Sequence, residues 1–457
     1  MSTRGRTGNS LWVAALELPA CDKALAERVR VAPQPLAGIH EARPDTARKL
    51  LMHAIEQTYR PSAQDLRLIR RLYDMAGAHA RLALGSEQQF MDGIRKLPSI
   101  YREAPMTMLT GHAGVGKSAL IRAARRLVPN DLTVEPSKAL PPFRINPWLH
   151  LDIKANIRAP DLLNEAMSSA GVDEAFTLGG PKEFSRGAQR LYQAGACGIL
   201  LDELQFINRS TGASTLTVKI LTRLTELQLP IAYACNYSLG HKLKRRPPED
   251  VTRLMSSPLI VLPDLATDPA FVGYLEDIKV VMDGVLKIDA AGDAAEIHNM
   301  TFGLRRLVIR LIACAYVIAR ELPGKPRSLP CVTMEHLKAA YLHVDFQFDR
   351  LAVEQCQSAA LGFSGVAEDY LCPFELPPAE QALQKAHADQ LRQRQLNDAL
   401  YKASMTREER VADQAEQAAA RAIAKKEGKP VVKAKPATSR PKKPTTAADW
   451  AAALDPS

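Results

Sequence analysis

The sequence predicts an α/β fold: a parallel five-stranded sheet followed by a helical lid, with a helical N-terminal region before it and a disordered basic tail after it. Three observations predict this. An apolar run from Met106 to Thr110 leads into Gly111-x-x-x-x-Gly116-Lys117-Ser118. A second apolar run, Gly198-Ile-Leu-Leu, ends in two carboxylates, Asp202 and Glu203. From about residue 266 the strand pattern gives way to helical periodicity alone.

The first of these is a phosphate-binding loop signature, read over Gly111, His112, Ala113, Gly114, Val115, Gly116, Lys117, Ser118 and Ala119. Its glycines let successive backbone N–H groups turn inward toward a phosphate. Lys117 neutralises the β- and γ-phosphates, and the Ser118 hydroxyl holds Mg²⁺. The next helix starts at the phosphates and offers them the positive end of its dipole. Ala119, Leu120, Ala123, Ala124 and Leu127 form its apolar face, with Arg122, Arg125 and Arg126 on another. The acidic pair is the second half of an ATP site. Asp202 is expected to hold Mg²⁺, directly or through water, beside Ser118, and Glu203 to polarise the attacking water.

Composition narrows the function classes. With 457 residues, the chain has room for two or three domains. A formal net charge of +10 and a pI near 9.2 permit contact with a polyanion, but much of the excess sits in the C-terminal tail. The seven cysteines form no C-x-x-C pair, and Cys197 and Cys235 fall in apolar strand-like runs. Buried free thiols of this kind suit a reducing cytoplasm. There is no signal peptide and no run of about eighteen apolar residues, so no membrane partner is expected.

Along the chain, residues 1–10 read as disordered and 11–88 as a helical region for partner or DNA contact. Ser62 with Asp65 three residues on marks a helix start, followed by a stripe of Leu66, Ile69, Leu72 and Tyr73. Arg60, Arg67, Arg70 and Arg71 are either a solvated face or a binding surface. Residues 89–265 read as the nucleotide-binding domain. After the loop come a strand over 144–152 interrupted near Pro147, a helix from Ala159–Pro160 to Gly171, and the acidic strand. The next strand, Pro230–Asn236, ends in a polar residue, so Asn236 is the candidate γ-phosphate sensor, or else a local turn residue. In the basic segment 239–256 a helix is expected only after Pro247–Pro248, with Arg253 near its end. The last strand is Leu259–Leu262. Residues 266–346 read as the lid, with a stripe of Leu304, Leu307, Leu311, Ala315 and Ile318, and a later helix starting at Thr333. Residues 347–424 read as a helical extension, with a long polar, solvent-exposed helix over 379–424. Residues 425–457 read as a Lys/Pro/Thr-rich linker ending in a docking peptide around Trp450 and Leu454.

Phosphate loop, acidic pair, sensor strand and helical lid together resemble an AAA+ ATPase. More narrowly, Ile199-Leu-Leu-Asp-Glu-Leu-Gln205 and Cys235-Asn-Tyr-Ser-Leu-Gly240 resemble elements of the TnsC/TniB regulators of DNA transposition. Thr252-Arg253-Leu254 is placed like their arginine-finger helix, and Thr301-Phe-Gly303 like the start of their lid helix. The resemblance spans roughly residues 100–345. It implies an ATP- and Mg²⁺-dependent adaptor that forms a homo-oligomeric ring or filament on double-stranded DNA. Such an adaptor links a target-selection protein of the TniQ type to the transposase. It implies a trans role for Arg253, with Arg245 and Arg246 as rivals, and a nucleotide-sensing lid arginine that is Arg305 or Arg306. Lys154, Arg158 and the 242–246 cluster are candidate DNA phosphate contacts.

Two other readings compete. An origin-recognition-type initiator or helicase loader of the same ATPase class would carry a DNA-reading domain after the lid. A nucleotide-binding scaffold without significant hydrolysis would have a degenerate site, whereas Lys117, Ser118, Asp202 and Glu203 are all present.

Overall fold

The computed structural model describes residues 11–101, 103–128, 133–134, 143–152, 157–202, 204, 213–321 and 331–406. Glu203, Lys154 and the tail beyond residue 406, with its docking peptide, lie outside them.

The N-terminal region is helical as expected: α1 (Leu11–Ala15), α2 (Asp22–Val29), α3 (Pro44–Gln57), α4 (Ala63–Ala83) and α5 (Glu87–Arg95). Ser62 caps α4 in a capping box. Its hydroxyl accepts from the Asp65 N–H at 3.3 Å, and the Asp65 carboxylate accepts from the Ser62 N–H at 3.2 Å. Such a cap stabilises a helix by about 1 kcal/mol.

Next come β1 (Met106–Gly111), α6 (Lys117–Arg126), β2 (Thr133–Val134), β3 (Phe143–Arg144) and β4 (Trp148–Asp152). They are followed by α7 (Ala159–Ala170), α8 (Pro181–Gln193), β5 (Gly198–Asp202), α9 (Ala213–Thr225) and β6 (Ile231–Asn236). α10 (Tyr237–Lys244), α11 (Pro248–Leu254) and β7 (Leu259–Val261) complete this part. The strands pair in parallel in the order β4-β5-β6-β1-β7, while β2 and β3 form a separate antiparallel pair. The break near Pro147 separates β3 from β4. One expectation is corrected: helix begins well before Pro247, because α10 starts immediately after Asn236. Its apolar residues Tyr237, Leu239 and Leu243 are buried, and that packing outweighs the basic residues between them.

Alternate residues of the strands face two cores. Leu200, Ala232 and Ala234 face one; Ile199, Leu201, Tyr233 and Cys235 face the other. The N-terminal helices belong to the first core, together with α6 and the lid. The lid comprises α12 (Pro269–Val281), α13 (Ala294–Thr301), α14 (Arg305–Glu321) and α15 (Met334–Leu342), the last capped by Thr333. α16 (Gln347–Leu361) and α17 (Pro378–Ser404) follow. The expectation that the long helix is wholly solvent-exposed is corrected. His387, Ala388 and Leu391 of α17 are buried, and the His387 Nε2 bonds the Pro263 carbonyl at 2.9 Å, tying the helix to the hinge after β7.

Candidate nucleotide site

Because all five strands run parallel, β1, β5 and β6 deliver their last residues to one edge of the sheet. Gly111 and Asn236 are register partners there, so the loop leaves β1 beside the sensor position. Gly114 and Gly116 have φ of 81° and 119°, values open to glycine and strained for other residues. A side chain at Gly114 would also collide with the lid, its Cβ 2.8 Å from the Arg306 Cβ, and one on Gly116 would sit in tight contact, 3.3 Å from the Arg305 Cδ.

Lys117 is buried, and its ammonium donates to the carbonyls of Gly111 and His112 at 2.9 and 2.8 Å and to Asn236 Oδ1 at 2.8 Å. The Ser118 hydroxyl donates to Asp202 Oδ1 at 3.1 Å. The loop lysine therefore meets Asn236, and the loop serine meets the acidic strand tip, side chain to side chain. Ser118 and Asp202 present hard oxygen donors on one side of the cleft. That donor set fits Mg²⁺, which is held by one or two protein oxygens plus waters and substrate phosphates.

Ala113, Gly114, Gly116, Lys117, Ser118, Ala119, Asp202, Asn236, Arg305 and Arg306 line a cleft of about 240 Å³. The side chain of His112 turns the other way. It is buried edge-on against Tyr237 with ring centroids 4.9 Å apart, and burial lowers its pKa to about 3. Only its carbonyl, on Lys117, serves the loop. Val115 is likewise buried beneath the loop. The cleft also has walls that the sequence reading did not include: Ile55 and Thr58 from the end of α3, and Tyr274 and Ile309 from the lid. Nothing local in the sequence marks them, because they reach the cleft only through the packing of distant helices.

The two lid arginines differ. The Arg305 guanidinium donates to Asp65 Oδ2 at 2.9 Å and to Asp264 Oδ2 at 3.3 Å, and lies over the Tyr59 ring at 5.3 Å. Arg306 is exposed, lines the cleft, and is held by no ion pair among the described residues. Its backbone N–H donates to the Gly114 carbonyl at 3.1 Å, fastening the lid to the loop.

Arg253 lies away from its own cleft. Ser256, two residues past the end of α11, bonds the Met106 carbonyl at the start of β1, the far edge of the sheet from the loop. There Arg253 Nε is 3.3 Å from Glu103 Oε2. Arg246 pairs with Asp250 at 3.1 Å, and Arg245 pairs with Glu368. Arg158 is engaged with Asp161 at 2.9 Å on the surface. Of the N-terminal arginines, Arg60 binds Asp277 of the lid at 2.7 Å and Arg70 binds Asp22 at 2.7 Å, so neither is a plain solvated charge.

The β4-β5-β6-β1-β7 order, with the phosphate loop leaving the inner strand β1 and a helical lid closing over it, decides the fold. This is the P-loop AAA+ α/β fold. No protein-family profile and no curated protein matches the sequence. Among solved structures, the chain is similar to the Aeropyrum pernix Orc1 protein in complex with DNA, at 19% identity and a TM-score of 0.38, over 67% of this chain and 69% of that one. It is similar to Cdc6p from Pyrobaculum aerophilum at 12% identity and a TM-score of 0.39, over 66% and 74% of the two chains.

Proposed function

We propose that this protein is an ATP-hydrolysing AAA+ switch that assembles with copies of itself on double-stranded DNA and acts as an adaptor in DNA transposition. The observation that carries the ATPase reading is the Lys117–Asn236 bond beside the Ser118–Asp202 bond. Lys117 spends its hydrogens on two loop carbonyls and on Asn236. A bound triphosphate competes for that ammonium and releases Asn236 to face the γ-phosphate. Ser118 and Asp202 would hold Mg²⁺, which would supply charge neutralisation to the bound triphosphate. Glu203, next to Asp202 in sequence, orients the attacking water. Arg306 reaches the nucleotide from the lid, and Arg253 reaches the γ-phosphate of a neighbouring subunit.

The transposition reading, with a transposase and a TniQ-type selector as partners, is supported by the sequence likeness to TnsC/TniB regulators. The origin-recognition reading is its main rival. Among the described residues after 346 there is no strand, and α16 and α17 fold back on the loop and the hinge.

Lys117→Ala tests the core of the reading. Charge-assisted hydrogen bonds are worth about 1.5–3 kcal/mol each. The variant should therefore bind a fluorescent ATP analogue at least tenfold more weakly and lose nucleotide-dependent retention on duplex DNA. Wild-type assembly on DNA by Lys117→Ala would refute the mechanism. Glu203→Gln should bind ATP normally and slow hydrolysis by about 10² or more in a phosphate-release assay.

A further inference from the structure

The helix that follows the sensor strand, α10, and the residues just after it carry His241, Lys242, Lys244, Arg245 and Arg246. The segment joining α16 to α17, residues 362–377, crosses this basic end. It contains Glu368, Asp369 and Glu375 and no lysine or arginine. Its oxygens meet these side chains one after another. The His241 Nε2 is 2.9 Å from the Leu371 carbonyl, the Lys244 ammonium donates to the Pro373 carbonyl, and Arg245 pairs with Glu368. Pro373 sits directly on Gly240, and Leu376 is buried beyond it.

A row of oxygens facing successive donors along one helix end is what a phosphodiester backbone also presents. From this we infer that residues 362–377 form an acidic strap that competes with nucleic acid phosphates for the basic end of α10, so that DNA engages this surface only when the strap lifts. The inference rests on the DNA-binding reading above. The Arg245–Glu368 pair is exposed on both sides, at 67% and 59%, so it is weak and readily exchanged for a phosphate contact. The strap's apolar end, by contrast, is anchored, which keeps it close enough to rebind.

The contact itself supplies the test. A Cβ built on Gly240 lies 3.6 Å from the Pro373 Cβ, within the range of about 3.5–4.5 Å that a disulfide spans. Gly240→Cys with Pro373→Cys, in a Cys372→Ser background that removes the neighbouring thiol, allows the strap to be locked and released without changing charge. Duplex DNA affinity is read by fluorescence anisotropy at fixed salt with a non-hydrolysable ATP analogue. Nucleotide binding is measured alongside, to verify the fold of both forms. The oxidised form should bind DNA roughly tenfold more weakly than the reduced form and show a shallower salt dependence. Adding Lys244→Ala and Arg245→Ala to the double-cysteine protein should erase the difference between its oxidised and reduced forms. Equal DNA affinity of oxidised and reduced protein overturns the strap. If wild type and both forms all fail to bind duplex DNA, the DNA reading falls and takes the strap with it.

Discussion

Arg305 and Arg306 are adjacent in sequence and both line the cleft, yet their surroundings assign them different work. Arg305 neutralises two carboxylates that are themselves nearly inaccessible, Asp65 and Asp264. Removing it leaves both buried and unpaired, a loss of about 3–5 kcal/mol. Arg305→Ala should therefore lower Tm by many degrees in a thermal melt. Arg306→Ala should leave Tm within a degree or two and weaken ATP-analogue binding or slow turnover. The reverse pattern would exchange their roles. The buried ionisable groups also make stability depend on pH. Burial lowers His112 and His298 to about 3 and His79 to about 4, and raises Asp264 to about 6. The histidines' contribution is complete above the unfolded value of about 6.5 and is lost as pH falls below it. Asp264 acts oppositely: its contribution is present at low pH and lost as pH rises through about 6. From pH 6.5 to 5 the histidines prevail, with a net loss on the order of 4 kcal/mol. Melts at the two pH values should show this drop, and His298→Phe should reduce it.

At the scale of elements, α4 does more than fill the N-terminal region. Its Gln64 side chain donates to the Leu262 carbonyl at 2.9 Å and accepts from the Leu262 N–H at 3.3 Å, completing the backbone pairing of the chain just past β7. Its cap residue Asp65 binds Arg305 of α14. One helix start thus grips the hinge and the lid together. Gln64→Ala leaves a buried donor and acceptor unpaired, at about 1–3 kcal/mol each. The expected result is a lower Tm and faster hydrogen exchange at 262–266, with α7 and α8 unaffected. Uniform exchange across the domain would contradict the clasp. On the other side of the loop, α16 places Cys356 Sγ 3.8 Å from His112 Nδ1, so the C-terminal extension rests on the phosphate loop itself.

At the scale of the molecule, the cleft and Arg253 lie at opposite edges of the same sheet. An arginine at the far edge cannot reach its own nucleotide, because β1 alone separates the two edges by roughly 17–20 Å. It can reach one held by a neighbour. Arg253→Ala should therefore keep ATP-analogue binding within about threefold of wild type while sedimentation reveals loss of the ATP-induced oligomer. An Arg253→Ala oligomer indistinguishable from wild type would send the search for the trans residue elsewhere.

Several features were legible from the sequence because their causes are local. The loop, the acidic strand tip, Asn236 at the end of an apolar run and the Ser62 cap each depend on residues a few positions apart. The five strands likewise follow from short-range apolar runs between helical stretches. What the tertiary structure decided depends on residues hundreds of positions apart. Thr58 and Ile55 become walls of the cleft, Arg305 separates from Arg306 because Asp65 meets it across 240 residues, and a basic cluster that reads as a candidate DNA phosphate contact is crossed by a segment more than 120 residues away. Periodicity reports which face of a helix is apolar; it carries no information about which distant element covers that face, and charge partners at that separation are chosen by packing alone.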